Sequence, residues 1–270
     1  MPVWFALLSA FALAKTPPPA APAMTDTSVV TTDGKTLAAS VGAPKGATNG
    51  VLLLHMAGHT KEEFAALADK LLRQNLIVLT LDLRGHGASV KPEDPAMTAM
   101  DWLSTVEDAR AGVAALKARG AQRVAIVGAE IGANLALVVG ADDPSVASVA
   151  LLSPGLDYKG IVTGEAAKRY GARPILFVVS KDDSYALRSA TALDNLSPGP
   201  HTVQTFEAAG KGTRMFSKEP TLEGQILGFV STSWLVAPGP TTPKELEIKT
   251  NATTLETTGP KLGEGVTPPQ

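Results

Sequence analysis

Between Arg123 and Val139 the chain changes its period within five residues. Arg123-Val124-Ala125-Ile126-Val127 is a short apolar run with strand character, and Ala133 to Val139 continues as a helix. The join is Gly128-Ala129-Glu130-Ile131-Gly132, a tight turn with a glycine on each side of its centre. Flanking glycines suit a strained turn whose neighbouring backbones pack close to it. A chain that carries such a join must place a strand and a helix in adjacent layers, with Glu130 at the tip between them.

The same alternation runs through the rest of the chain. Val51 to His55 reads as a buried strand, and Lys61 to Gln74 as a helix with Phe64, Leu67, Leu71 and Leu72 at helical spacing. Leu76 to Leu83 is a second apolar strand, and Trp102 to Leu116 a helix with Val106, Ala109, Val113 and Leu116 on one face. Strands at Val146–Leu152, Pro174–Val179 and His201–Phe206 follow, with helices at Tyr185–Leu196 and Leu222–Val236. Strands alternating with helices of this length imply an α/β fold, a mostly parallel twisted sheet with helices on both faces. Too few residues separate Leu152 from Pro174 for an inserted helical cap, so no cap domain is expected and the site edge should be open.

The alternation, with Asp82-Leu83-Arg84-Gly85-His86-Gly87 and then Gly128-Ala129-Glu130-Ile131-Gly132 in that order, resembles the α/β-hydrolase family. It is most similar to the dienelactone-hydrolase-like or esterase-like branch, over residues 27 to 236. The resemblance implies a nucleophilic Ser at the centre of the turn, an acid after a later strand and a His after the last strand. Here Glu130 stands at the nucleophile position. The acid position falls at Val179-Ser180-Lys181-Asp182-Asp183, with Asp183 the better match and Asp182 beside it. Either aspartate also suits the start of the helix that follows. Between Gly210 and Gly212, where relatives resemble this loop with His, stands Lys211. The implied oxyanion donors are the backbone N–H groups of Ile131 and Met56.

Those replacements bear on chemistry. Acyl transfer needs an activated oxygen nucleophile and a base poised near working pH. A lysine, with an ordinary pKa of about 10.4, is an ammonium at neutral pH beside a carboxylate. Glu130 could attack as a carboxylate, but no histidine then activates water to release the ester. Opposite charges at the two positions suggest an ion pair between Glu130 and Lys211, with Asp183 behind it. The remaining histidines do not fill the gap. His201 begins the last strand, at the opposite end of the sheet. His55, His59 and His86 lie in loops that the family uses for structure or oxyanion support.

Other signals carry little. Gly210-Lys211-Gly212-Thr213 resembles part of a phosphate loop, but its first glycine would fall at Thr205, and Gly212 replaces the hydroxyl residue. With no cysteine and no His-x-x-x-His on a helix, no metal site is indicated, and no Gly-x-Gly-x-x-Gly follows the first strand to suggest a dinucleotide. No cofactor is therefore expected. A net charge of −2 without a basic patch argues against a nucleic-acid partner.

Val3 to Ala14 is an apolar run ending in Ala12-Leu13-Ala14, a small-x-small pattern, and is too short to span a bilayer. Residues 1–14 read as a signal peptide and 15–26 as a Pro/Ala linker, so the protein is expected to be exported, periplasmic or secreted. Residues 27–236 form the α/β-hydrolase-like domain, and 237–270 a Pro/Thr-rich tail, mostly disordered. Glu245 to Lys249 alternates like a strand.

Three readings of function follow. The favoured one is a non-catalytic protein, a pseudoenzyme of the cell envelope that binds a small molecule or protein at the former active-site face. The second is a hydrolase of an ester or related substrate that uses Glu130 in a non-standard role. The third is a structural envelope protein.

Overall fold

The computed structural model describes residues 22–91 and 101–235. The expected signal peptide, most of the linker, and the tail with its strand-like Glu245–Lys249 lie outside the described residues, as does Val236 at the end of the closing helix.

In chain order the elements are β1 (Thr25–Val30), β2 (Thr36–Gly42), β3 (Asn49–Leu54), α1 (Ala65–Leu72), β4 (Ile77–Leu81), α2 (Thr105–Ala118) and β5 (Arg123–Ala129). Then come α3 (Ile131–Asp142), β6 (Val146–Leu152), β7 (Asp157–Tyr158), β8 (Ile161–Val162) and α4 (Gly164–Tyr170). β9 (Ile175–Ser180), α5 (Ser184–Leu196), β10 (His201–Phe206), α6 (Met215–Lys218) and α7 (Leu222–Ser233) complete the described chain. Eight strands form one sheet in the order β1-β2-β4-β3-β5-β6-β9-β10. β1 and β2 pair antiparallel, as do β2 and β4; the pairings from β4 to β10 are parallel.

The central strands are apolar on both sides because both sides are covered. Leu52, Leu54, Ile126 and Phe177 face one layer, with Ala109 and Val113 of α2, Ala133 and Leu137 of α3, and Leu193 of α5. Val51, Leu53, Val127 and Val178 alternate onto the other face, against Leu67 and Leu71 of α1 and Ile226 and Val230 of α7. The helix α3 lies between its neighbours and is buried along most of its length. α4 packs into this same layer through Ala166, Ala167 and Tyr170, so the segment after β6 holds a short β7–β8 hairpin and a layer helix.

The β1–β2 hairpin, the β7–β8 hairpin and α4 were not anticipated from the sequence. β1 opens at Thr25, two residues before the expected start of the domain. Its Thr, Asp and Ser residues give little apolar alternation, although Asp33-Gly34 between the strands is a hairpin signal.

Parallel pairing brings the C-terminal ends of β3, β5, β6 and β9 to one edge, with Leu54 opposite Gly128 and Ala129 opposite Leu152. From β3 the chain crosses to β4 on one side, and from β5 it runs to β6 on the other. The crevice outside β3 and β5 is thus where the strand order reverses, the usual ligand position in an open α/β sheet.

Candidate functional site

Glu130 occupies the turn between β5 and α3 with φ 48° and ψ −111°, a backbone conformation that costs a non-glycine residue strain. The flanking glycines are required by close approach. A Cβ on Gly128 would lie 2.1 Å from the Gly132 carbonyl oxygen, and one on Gly132 would lie 2.2 Å from the Leu54 oxygen. The turn is fixed further by Glu130 N–H donating to the Leu152 carbonyl at 2.9 Å, and by the Glu130 carbonyl accepting from Ala133 and Asn134.

The loop after β10 returns to this turn. Gly212 N–H donates to Ser153 Oγ at 2.9 Å, which draws the loop onto the end of β6. Lys211 thereby reaches Glu130, and its ammonium lies against Oε1. The Glu130 side chain is 9% exposed and that of Lys211 47%, so a buried carboxylate meets an ammonium that keeps part of its hydration. The contact is an ion pair outside hydrogen-bond alignment.

The aspartates divide two structural tasks. Asp183 caps α5, accepting from Ala186 N–H at 3.1 Å, while its Oδ2 is buried with no hydrogen-bond partner among the described residues. Asp182 is exposed and accepts from Gly210 N–H at 3.1 Å, so it holds the Lys211 loop. Burial pushes the Tyr158 phenol up, and the charges of Glu130, Asp183 and Tyr185 push it further. Among the described residues, Asp183 forms no ion pair with Lys211. Of the three expected residues, Glu130 and Lys211 are joined, and Asp183 serves as a helix cap.

The expected oxyanion donor at Met56 is engaged within the chain. Its N–H donates to Glu63 Oε1 at 2.8 Å and so already serves a carboxylate. Glu63 belongs to a single helical turn, Lys61–Phe64, anchored by buried Phe64 and by Lys61 N–H donating to Asp82 at 2.7 Å. Glu63 Oε2 accepts from the Thr213 hydroxyl at 3.0 Å and lies 2.9 Å from His59 Nδ1. Burial raises the Glu63 pKa against these hydrogen bonds, and the charge on Glu130 adds to the rise. Ile131 opens α3, so its N–H is among those that a helix leaves without an internal acceptor. Glu63 and Thr213 were not visible as site residues in the sequence, because only the folded chain brings their loops together.

The other histidines serve the scaffold. His55 is fully buried, its Nδ1 donating to the Met56 carbonyl at 2.7 Å while Nε2 accepts from Leu83 N–H at 2.9 Å. That arrangement fixes the neutral tautomer, and burial lowers its pKa to about 4. His86 Nδ1 meets the Arg84 carbonyl at 2.9 Å, and its ring packs between His55 and Trp102. Arg84 is held by Asp108 and Asp33, which ties the same loop to α2 and β1–β2. His201 stands at the start of β10, 3.4 Å from Asp194, away from the site edge. Among the described residues no cluster of three or more His, Asp or Glu could hold a metal ion. No helix there is long and apolar enough to cross a membrane.

With this geometry in hand, comparison with known proteins places the chain. Residues 45–204, more than half of it, match the model of the serine aminopeptidase S33 family. A dienelactone hydrolase from Anabaena variabilis superposes with a TM-score of 0.64 at 19% identity, covering 80% of this chain and 98% of that one. An acetyl xylan esterase from a Paenibacillus species gives a TM-score of 0.66 at 15% identity, covering 81% and 86%. An esterase of Pyrococcus furiosus gives 0.64 at 16% identity, covering 78% and 92%. At these identities the likeness is one of fold. A comparison with curated protein sequences found no match. The chain belongs to the serine aminopeptidase S33 family and has the α/β-hydrolase fold.

Proposed function

We propose that this α/β-hydrolase-fold protein is non-catalytic and uses the former active-site face to bind a ligand or partner. The observation that carries the reading is the ion pair of Lys211 with Glu130 at the turn tip. Where a hydroxyl nucleophile and an imidazole base would stand, opposite charges satisfy each other. A nucleophile has no base in that pair, because an ammonium cannot accept a proton. The engagement of Met56 N–H by Glu63 supports the same conclusion, since a donor already bonded to a carboxylate is not preorganised for a developing oxyanion. The apolar run Val3–Ala14 and the Pro/Ala-rich stretch after it support export, which cell fractionation of the full chain reads directly.

A hydrolase with a relocated base is the competing reading, favoured by His59, whose ring is oriented by Glu63 on the same edge. A panel of activated and natural esters separates the two. The protein, Glu130→Gln and His59→Gln should all match the buffer blank, and a serine-directed phosphonate should leave residue 130 unlabelled. Turnover lost in either variant would overturn the non-catalytic reading.

A further inference from the structure

The Glu63 carboxylate is met by groups from two parts of the chain, the loop after β3 and the loop after β10. Met56 N–H, at the end of β3, donates to Oε1 at 2.8 Å. The Thr213 hydroxyl, beyond the Lys211 loop, donates to Oε2 at 3.0 Å. His59 Nδ1, 2.9 Å from Oε2, completes the set. An ionised carboxylate only accepts hydrogen bonds, so Met56 N–H and the Thr213 hydroxyl donate to it, while His59 lies beside it outside hydrogen-bond alignment. Met56 and Thr213 are buried, and the Glu63 side chain is 11% exposed.

A backbone N–H and a hydroxyl donating to the two carboxylate oxygens, with an imidazole ring beside them, form a receptor for a carboxylate, whatever chain or molecule supplies it. The niche lies beside the crevice at the ends of β3 and β5. His59 forms its outer wall and is about one-third exposed on its side chain, at 34%, so the niche is close to solvent. The turn that carries it runs directly into α1 and is anchored by buried Phe64, so the carboxylate leaves by rotation of the Glu63 side chain and not by movement of the turn.

We propose that the niche is a carboxylate-binding subsite that the chain keeps closed with its own Glu63. The contact is autoinhibitory: an external carboxylate or a developing acyl oxyanion reaches Met56 N–H only after Glu63 has left. The inference concerns binding and stands whether or not the protein turns over an ester.

The test is chemical replacement of the side chain. Glu63→Ala is unfolded thermally in increasing sodium acetate, with sodium chloride at equal ionic strength as reference. The Met56 amide is followed by NMR. Acetate should raise the Tm of Glu63→Ala saturably, by roughly 3–8 °C at about ten to a hundred times its Kd, and should shift the Met56 amide. Neither the unchanged protein nor Glu63→Gln should respond, since in both an acceptor oxygen still fills the niche. If Glu63→Ala does not fold in chloride, recovery of folded protein on refolding in acetate supports the proposal. Equal failure in both salts overturns it. So does a Tm rise that chloride reproduces, an acetate response shared by Glu63→Gln, or a Met56 amide that acetate leaves unmoved.

Discussion

The ammonium of Lys211 lies against the carboxylate of Glu130, joining the loop after the last strand to the strained turn at the middle of the sheet. The two side chains differ in what they lose to water. Glu130 is buried at the turn tip, whereas Lys211 is half exposed, so each depends on the other to a different degree. Removing the cation strands a buried charge; removing the anion releases a lysine into solvent.

That asymmetry gives the first prediction. Lys211→Met should destabilise by about 1–3 kcal/mol, between the values typical of exposed and fully buried pairs. Glu130→Gln should cost less, and the double variant should recover much of the Lys211→Met loss. Denaturant unfolding of the four proteins gives the coupling energy. A coupling of zero would mean that the two side chains act independently.

How much of this was legible beforehand varied with the kind of signal. The strand Val146–Leu152 matched its sequence boundaries because an apolar run between turn residues marks a central strand well, and His201–Phe206, an exposed edge strand, matched through its β-branched residues and the Ser-Pro-Gly-Pro turn before it. Gly128 and Gly132 were also legible, since close packing leaves only one residue type for them. Lys211 and Glu130 could be paired in advance because the fold fixes which loops share an edge. Glu63 was not legible. Its role depends on a single turn carrying a carboxylate back to Met56 N–H and across to Thr213, and neither contact leaves a periodic trace. Asp183 could be placed at the right strand end, but which way each carboxyl oxygen points is a matter of helix capping, not of spacing.

Acid should reveal His55. Its pKa in the folded protein is lowered from 6.5 to about 4, so the unfolded chain binds more protons between those values. Stability therefore rises with pH through that window and falls as pH drops from about 6.5 to 4, by about 3 kcal/mol from this group. Protonation would also turn Nε2 from acceptor into donor against Leu83 N–H. His55→Gln should be less stable at neutral pH, and its stability should change less across the window. Parallel pH profiles for the two proteins would show that His55 does not carry the effect.

Backbone strain at Glu130 is open to a similar comparison. With φ at 48° and ψ at −111°, a residue with a Cβ is held in a sparsely populated region. Glu130→Ala and Glu130→Gly both remove the ion pair, so their difference isolates the backbone contribution. The glycine variant should be more stable by about 1–3 kcal/mol, against the usual order in which glycine costs stability. Alanine equal to or better than glycine, by thermal or denaturant unfolding, would show that the turn relaxes.

Rebuilding the hydrolase site calls for three changes, for a reason the sequence did not reveal. Glu130→Ser with Lys211→His restores a hydroxyl at the turn tip and an imidazole on the returning loop, with Gly128, Gly132, Gly210 and Gly212 in place. Asp183 serves as a helix cap, so it would orient the new imidazole only in part. Glu63 still occupies Met56 N–H in that double variant, and a carboxylate there repels the oxyanion that must form. The double variant should therefore stay at the blank toward small activated esters. Adding Glu63→Ala frees the N–H, and weak turnover should appear; losing one oxyanion donor typically costs about 10²–10³ in kcat. Phosphonate labelling of residue 130 provides a second readout, independent of turnover. Equal activity in the double and triple variants would remove Glu63 from the argument, and labelling in neither would mean that the serine at the tip is not activated.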